Sequence, residues 1–189
     1  VTLGSLRARQ DYMIAEGLLA PYKPGVDEAV AKQALEDFAL ARIRQLAAHE
    51  VGHTLGLAHN FAASTNNRAS VMDYPYPFVT LAEDDTIDVS EAYAVGIGAW
   101  DKRAITWGYA DFPVQSNGAA ERDAIMAETL TLGLNYVEGQ HARSGGACHS
   151  RGALWDNGAD PVAELNRLMA LREVVLGRFS ANVIQRGQP

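Results

Sequence analysis

The sequence predicts a mainly α chain with a small β component, and three observations carry that expectation. Between Asp27 and Leu57 the apolar residues Leu35, Phe38, Ile43, Leu46, Ala47 and Val51 recur at three- and four-residue steps, with neither proline nor glycine before Gly52. Further helical stretches fall at about 90–108, at about 119–133, and from Pro161 through about Phe179. Strand material is confined to Phe78–Leu81 and Ile87–Val89, which flank Glu83-Asp84-Asp85-Thr86 and read as one small hairpin.

Taken in order, Val1–Arg7 reads as a short strand or the end of one. Ala8, Tyr12, Ala15 and Leu19 then lie at helical spacing before the PYKPG breaker at 21–25. The helix from Asp27 exceeds the average globular length, so it needs burial or a backing element. Residues 60–77, rich in Asn, Ser, Ala and Pro, read as irregular loop. Ser90 suits an N-cap for a helix bearing Tyr93, Ile97, Trp100, Ile105 and Trp107, with the two tryptophans as core anchors. A glycine-rich loop spans His141–Asp160, after which Asp160 caps and Pro161 starts the last helix. With no repeat or low-complexity tract, residues 1–189 are expected to form a single domain.

Composition excludes several function classes. The 189 residues carry 16 Lys+Arg against 23 Asp+Glu, a net charge of −7, so there is no basic surplus to neutralise nucleic-acid phosphates. Hydrophobic residues at 48% and charged residues at 21% fit a globular chain and not a disordered one. No run of 18 apolar residues offers a membrane span. The single Cys148 excludes an intrachain disulfide framework and any zinc site built mainly from thiolates. The chain opens Val1-Thr2-Leu3, without an initiator methionine or a basic-then-apolar leader, as a processed product or excised domain would.

The chemistry concentrates in His49-Glu50-Val51-Gly52-His53-Thr54-Leu55-Gly56-Leu57-Ala58-His59. His49 and His53, four apart on a helix, present two imidazoles to one ion. Glu50 flanks them without displacing either, placed to accept a proton from metal-bound water. Gly56 lets the backbone leave the helix through a left-handed conformation and swing His59 back toward the metal. Three histidines leave a fourth position to water, the arrangement of a catalytic zinc rather than a structural one. A buried helix with incidental histidines would have to gather three of the chain's five histidines into this one stretch, beside a carboxylate.

HEVGHTLGLAH resembles the extended zinc-binding motif of the metzincin metallopeptidases, and Ser70-Val71-Met72-Asp73-Tyr74 resembles their Met-turn. VTLGSLRARQD, HEVGHTLGLAHNFAAS, SVMDYP, AWDKRAITWGY and LWDNGADPV together resemble the bacterial Met-zincin domain of large zinc-dependent metalloproteases. The resemblance implies a metzincin-like catalytic domain with the zinc helix in residues 1–59 and the Met-turn and helical C-terminal part in 60–189. It implies one catalytic Zn(2+) on His49, His53 and His59, Glu50 as general base, and Met72 as an apolar floor beneath the imidazoles. In the astacin and serralysin branches a tyrosine at the place of Tyr74 binds the resting zinc and then turns to the reacting carbonyl. Tyr74 is therefore either an oxyanion stabiliser or a packed loop tyrosine held by Pro75.

Metzincins usually carry a sheet subdomain before the zinc helix. Only 48 residues precede His49 here and most read as helix. The sheet is therefore expected in an N-terminal portion of the same protein outside this chain, unless Val1–Arg7 is its remnant. The function implied is a secreted or periplasmic zinc endopeptidase acting on protein or peptide substrates. A zinc-stabilised scaffold that does not cleave, and a zinc hydrolase of other substrates, are the alternatives. Elsewhere, His141 with Cys148 and His149 suggests loop residues before a second metal site. Glu83, Asp84, Asp85 and Asp88 read as a solvated turn before a calcium loop, and Asp156 and Asn157 as turn formers.

Overall fold

Asp27 opens the longest helix as the sequence implies: its Oδ1 accepts the Val30 amide at 3.0 Å. The computed structural model describes residues 4–143, 145, 148–184 and 187. Six helices appear among them: α1 (Ser5–Leu19), α2 (Glu28–Thr54), α3 (Ala99–Tyr109), α4 (Gly118–Thr131), α5 (Gly139–Ala142) and α6 (Pro161–Val183). A short 3-10 turn covers Ala63–Asn66. The strand content is one antiparallel hairpin, β1 (Thr80–Leu81) and β2 (Ile87–Asp88), paired Thr80 to Asp88 and Leu81 to Ile87. The chain is thus mainly α with a small β component, and no helix among the described residues is long and apolar enough to cross a membrane.

Two expectations about elements are corrected. Residues 5–7 belong to α1 and not to a strand, while residues 1–3 lie outside the described residues. The helix expected over 90–108 begins only at Ala99. Gly96 takes φ +80°, which breaks helical continuity, and Gly98 is the N-cap. Ser90 therefore caps nothing, and Tyr93 and Ile97 lie off the helix. The hairpin acids behave as a turn: Asp84 and Asp88 accept the Thr86 and Ser90 amides, and Asp85 meets Arg178 at 3.3 Å.

Contacts divide the chain into two compact units. The first holds Val1–Ala47, Pro77–Val95 and Val162–Pro189. Its core is Ala15 of α1, Leu35 and Phe38 of α2, and Ala92 and Tyr93, with the Phe38 and Tyr93 rings edge to face at 5.9 Å. The Tyr93 hydroxyl donates to buried Asp11 at 2.5 Å, and the Arg42 guanidinium lies over the Tyr93 ring. Asn182 of α6 donates to the Gly17 carbonyl of α1 at 2.9 Å.

The second unit holds Ala48–Tyr76 and Gly96–Pro161, and so contains the whole histidine motif. Arg103 of α3 ties α4 on, donating to Thr129 Oγ1, the Ile125 carbonyl and Glu128. Of the two expected anchors, Trp100 stacks on Tyr136 at 5.4 Å, whereas Trp107 is 44% exposed and is no core residue. Buried Asn60 binds three separate backbone groups: it accepts the Ala62 and Val137 amides and donates to the Asn135 carbonyl. That fixes the chain leaving His59.

Candidate metal centre

Helix α2 ends as its glycine demands. Gly56 sits at φ +82°, its amide bonds the His53 carbonyl, and the Leu57 amide reaches back to the Gly52 carbonyl at 3.1 Å. This pair of bonds is the Schellman closure, and it turns the chain so that His59 returns beside His53. The helix stops at Thr54, three residues short of the expected end.

The turn brings together the three histidines picked out by the sequence. One ring nitrogen from each of His49, His53 and His59 lies within 4.8 Å of the others. His49 is buried, His59 half-buried and His53 exposed. The tautomers follow from the backbone. His49 Nδ1 lies 2.7 Å from the Val71 carbonyl and His53 Nδ1 lies 2.8 Å from the Leu57 carbonyl. A carbonyl only accepts, so both Nδ1 atoms carry the proton and both Nε2 lone pairs point into the cluster.

These residues fit a zinc-type ion. His53 Nε2 and His59 Nε2 are 3.2 Å apart. Two nitrogens bound at the zinc distance and the tetrahedral angle would be about 3.3 Å apart. The His53 lone pair faces His59 at a separation that suits a shared cation. Burial holds the His59 pKa below its usual range; His49, His53 and Arg143 push the same way, while Glu50 opposes them. A neutral imidazole is the form a metal requires. Glu50 is half-buried and has no hydrogen-bond or ion-pair partner among the described residues, so its carboxylate is uncommitted.

Met72 is fully buried, and its sulfur lies where a side chain on Gly52 would be: an added Cβ would stand 2.3 Å from Met72 Sδ. Gly52 in HEVGH thus admits the methionine against the helix between the two histidines. The turn carrying Met72 is held by Asp101 of α3, itself fully buried. Its carboxylate accepts the Ser70 hydroxyl at 2.5 Å and the amides of Val71 at 2.8 Å and Gly98 at 2.7 Å. A Cβ on Gly98 would fall 1.9 Å from the Ala69 carbonyl oxygen, so this close approach requires glycine.

Tyr74 is brought to the cluster, its hydroxyl 2.8 Å from His59 Nε2. Phe61 stacks on the His59 ring at 5.3 Å. Phe61, Arg143, Asp101 and Trp155 are the residues near the centre that sequence reasoning passed over. His141, Cys148 and His149 join no such group: Cys148 is exposed, His149 Nδ1 accepts the Arg151 amide, and the only three-ligand cluster among the described residues is His49, His53 and His59.

In the second unit three imidazoles converge closely enough to hold one metal ion, and Met72 is buried against the helix that carries two of them. Residues 31–189 match the sequence model of the Met-zincin family, and the chain belongs to that family. No curated protein and no solved structure matches the chain.

Asp73, beside Met72, gives the unit a pH dependence. Burial pushes its carboxyl up to about 7, with Asp156 adding to the rise and hydrogen bonds from the Tyr74 and Ser64 backbone opposing it. The folded state therefore holds this proton where the unfolded chain, at the ordinary value of 3.8, has lost it. Stability falls as pH rises from about 4 to about 7, by up to roughly 4 kcal/mol. Asp73→Asn is expected to melt above the parent at pH 8, with the gap closing toward pH 4. Thermal melts across that range check this, and a gap independent of pH would contradict it.

Proposed function

We propose that this chain is the catalytic portion of a zinc-dependent endopeptidase, with His49, His53 and His59 as ligands and Glu50 as general base. The observation that carries the reading is the convergence of imidazoles with Nε2 lone pairs turned inward beside an uncommitted carboxylate. A structural zinc site would close its fourth position with a protein ligand, and Glu50 next to an open one suits hydrolysis.

A divalent ion at such a site supplies a Lewis acid for a carbonyl oxygen and lowers the pKa of a water to about 7. The residues of the chain divide the remaining work. His49 and His53 are held in the ligating tautomer by the Val71 and Leu57 carbonyls. Glu50 takes the proton of the attacking water and returns it to the leaving amine nitrogen. The Tyr74 hydroxyl lies 2.8 Å from His59 Nε2, and once that nitrogen binds the ion the hydroxyl is released to donate to the oxyanion that develops on the scissile carbonyl.

The test is digestion of a diverse peptide mixture by the zinc-loaded protein, read by mass spectrometry, with a chelated sample alongside. Cuts only in the loaded sample are expected; identical maps would end the peptidase reading. His59→Ala is expected to weaken zinc affinity by at least about 10²-fold, since it removes one of three ligands. Competition with a chromogenic chelator measures this, and unchanged affinity would remove His59 from the ligand set. Affinity in the parent should also fall as pH drops below the imidazole range, because protons compete for the same nitrogens.

A further inference from the structure

Trp155 occupies the left-handed region at φ +66°, and it is the one aromatic residue among the described positive-φ residues. A large side chain is strained there, because its Cβ crowds the neighbouring carbonyl oxygen, and the conformation persists only where the surroundings impose it. Those surroundings are the segment that follows the Met-turn. The Trp155 amide donates to the Tyr74 carbonyl at 3.0 Å. The indole stacks on the Tyr74 ring at 5.2 Å with 22° between planes, and meets Tyr76 at 5.3 Å. Two residues on, buried Asn157 donates to the Tyr76 carbonyl at 3.1 Å. Segments 74–76 and 155–157 are therefore joined through both backbone and rings.

The other contacts of Tyr74 lead to the metal centre. Its ring meets His59 at 4.7 Å and Phe61 at 5.2 Å, both edge to face, and its hydroxyl touches His59 Nε2. Glycine would adopt the Trp155 backbone freely but would leave the outer face of the phenol bare. We infer that Trp155 is a positioning residue: its strained backbone aims the indole onto Tyr74 and holds the phenol against His59, within reach of an ion on the three imidazoles. The inference rests on the metal-centre reading above, and adds to it a residue far from the zinc motif in sequence.

Copper(II) in place of zinc supplies a readout that needs no turnover. It binds nitrogen and oxygen donors more tightly than zinc, and a coordinated phenolate gives a visible charge-transfer band. The band is expected in the copper-loaded parent, absent in Tyr74→Phe, at least about threefold weaker in Trp155→Gly, and largely restored in Trp155→Phe. Because glycine relieves the backbone strain, Trp155→Gly should keep its fold. Should it not, Trp155→Leu, which keeps bulk without an aromatic face, is read in the same way. Peptide turnover provides a second readout. Trp155→Gly should lower kcat about tenfold with little change in KM, and should lower it no further in a Tyr74→Phe background. A parent without the band, a Trp155→Gly protein with the parental band, or additive kcat losses would each overturn the inference. Absence of turnover in the parent, with the copper band behaving as expected, would overturn the peptidase reading and leave this one standing.

Discussion

Glu50→Gln is expected to keep its metal and lose at least about 10²-fold in turnover, the scale of general acid–base catalysis. Glutamine preserves the size and hydrogen-bonding reach of the side chain, so the helix and the flanking histidines have no reason to move. What it removes is basicity. Glu50 has no partner among the described residues that would otherwise explain a half-buried carboxylate beside His49. It is, however, near enough to His59 to oppose the lowering of that imidazole's pKa. A carboxylate kept free of partners within electrostatic reach of the ligand set is what a proton shuttle needs, and a purely structural acid would be paired. The check is metal stoichiometry by elemental analysis together with kcat on a peptide found in the digestion map. Parental kcat in a fully loaded Glu50→Gln protein would sink the assignment.

The parts of this centre legible in the sequence are those governed by local geometry. His49, Glu50 and His53 follow from the helical period, and the return of His59 follows from one glycine whose positive φ closes α2. The small hairpin was legible for a similar reason, since four polar residues between two short apolar pieces leave few other folds. The helix expected from Ser90 begins only at Ala99, because Gly96 and Gly98 interrupt the apolar spacing that suggests it. Those glycines serve a turn and a close backbone approach, and Tyr93 belongs to the core of the first unit instead. Trp107 looked like a core anchor on size alone and is nearly half exposed.

Other features depend on residues far apart in the chain. Gly52 and Met72 explain each other only once the Met72 sulfur is seen to fill the space a Cβ on Gly52 would need. Trp155 reaches Tyr74 across eighty-one positions, from a glycine-rich stretch with no periodic pattern to mark it. The acidic residue three places after Gly98 carries no local signal of its role, because its partners Ser70 and Val71 lie thirty-one and thirty positions earlier.

That acidic residue supports the largest stability prediction. Asp101→Ala is expected to cost about 3–5 kcal/mol, a large share of the 5–15 kcal/mol typical of a domain. Asp101 is fully buried and its carboxylate accepts from one hydroxyl and two amides. Alanine would strand all three donors, each at a cost of roughly 1–3 kcal/mol less whatever an entering water recovers. Asp101→Asn should lose less, because its amide keeps one acceptor while turning a donor toward the others. The damage should reach the metal centre, because the Val71 amide bound by Asp101 precedes the Val71 carbonyl that orients His49. Zinc affinity is therefore expected to fall at least about tenfold in Asp101→Ala, the lower end for losing a group that orients a ligand. Urea denaturation of the metal-free protein and chelator competition on the same variants separate the two effects. A loss below about 1 kcal/mol would mean that the turn holds Met72 without Asp101. Unchanged affinity in a clearly destabilised protein would mean that the His49 tautomer is fixed by the carbonyl alone, however the turn behind it is supported.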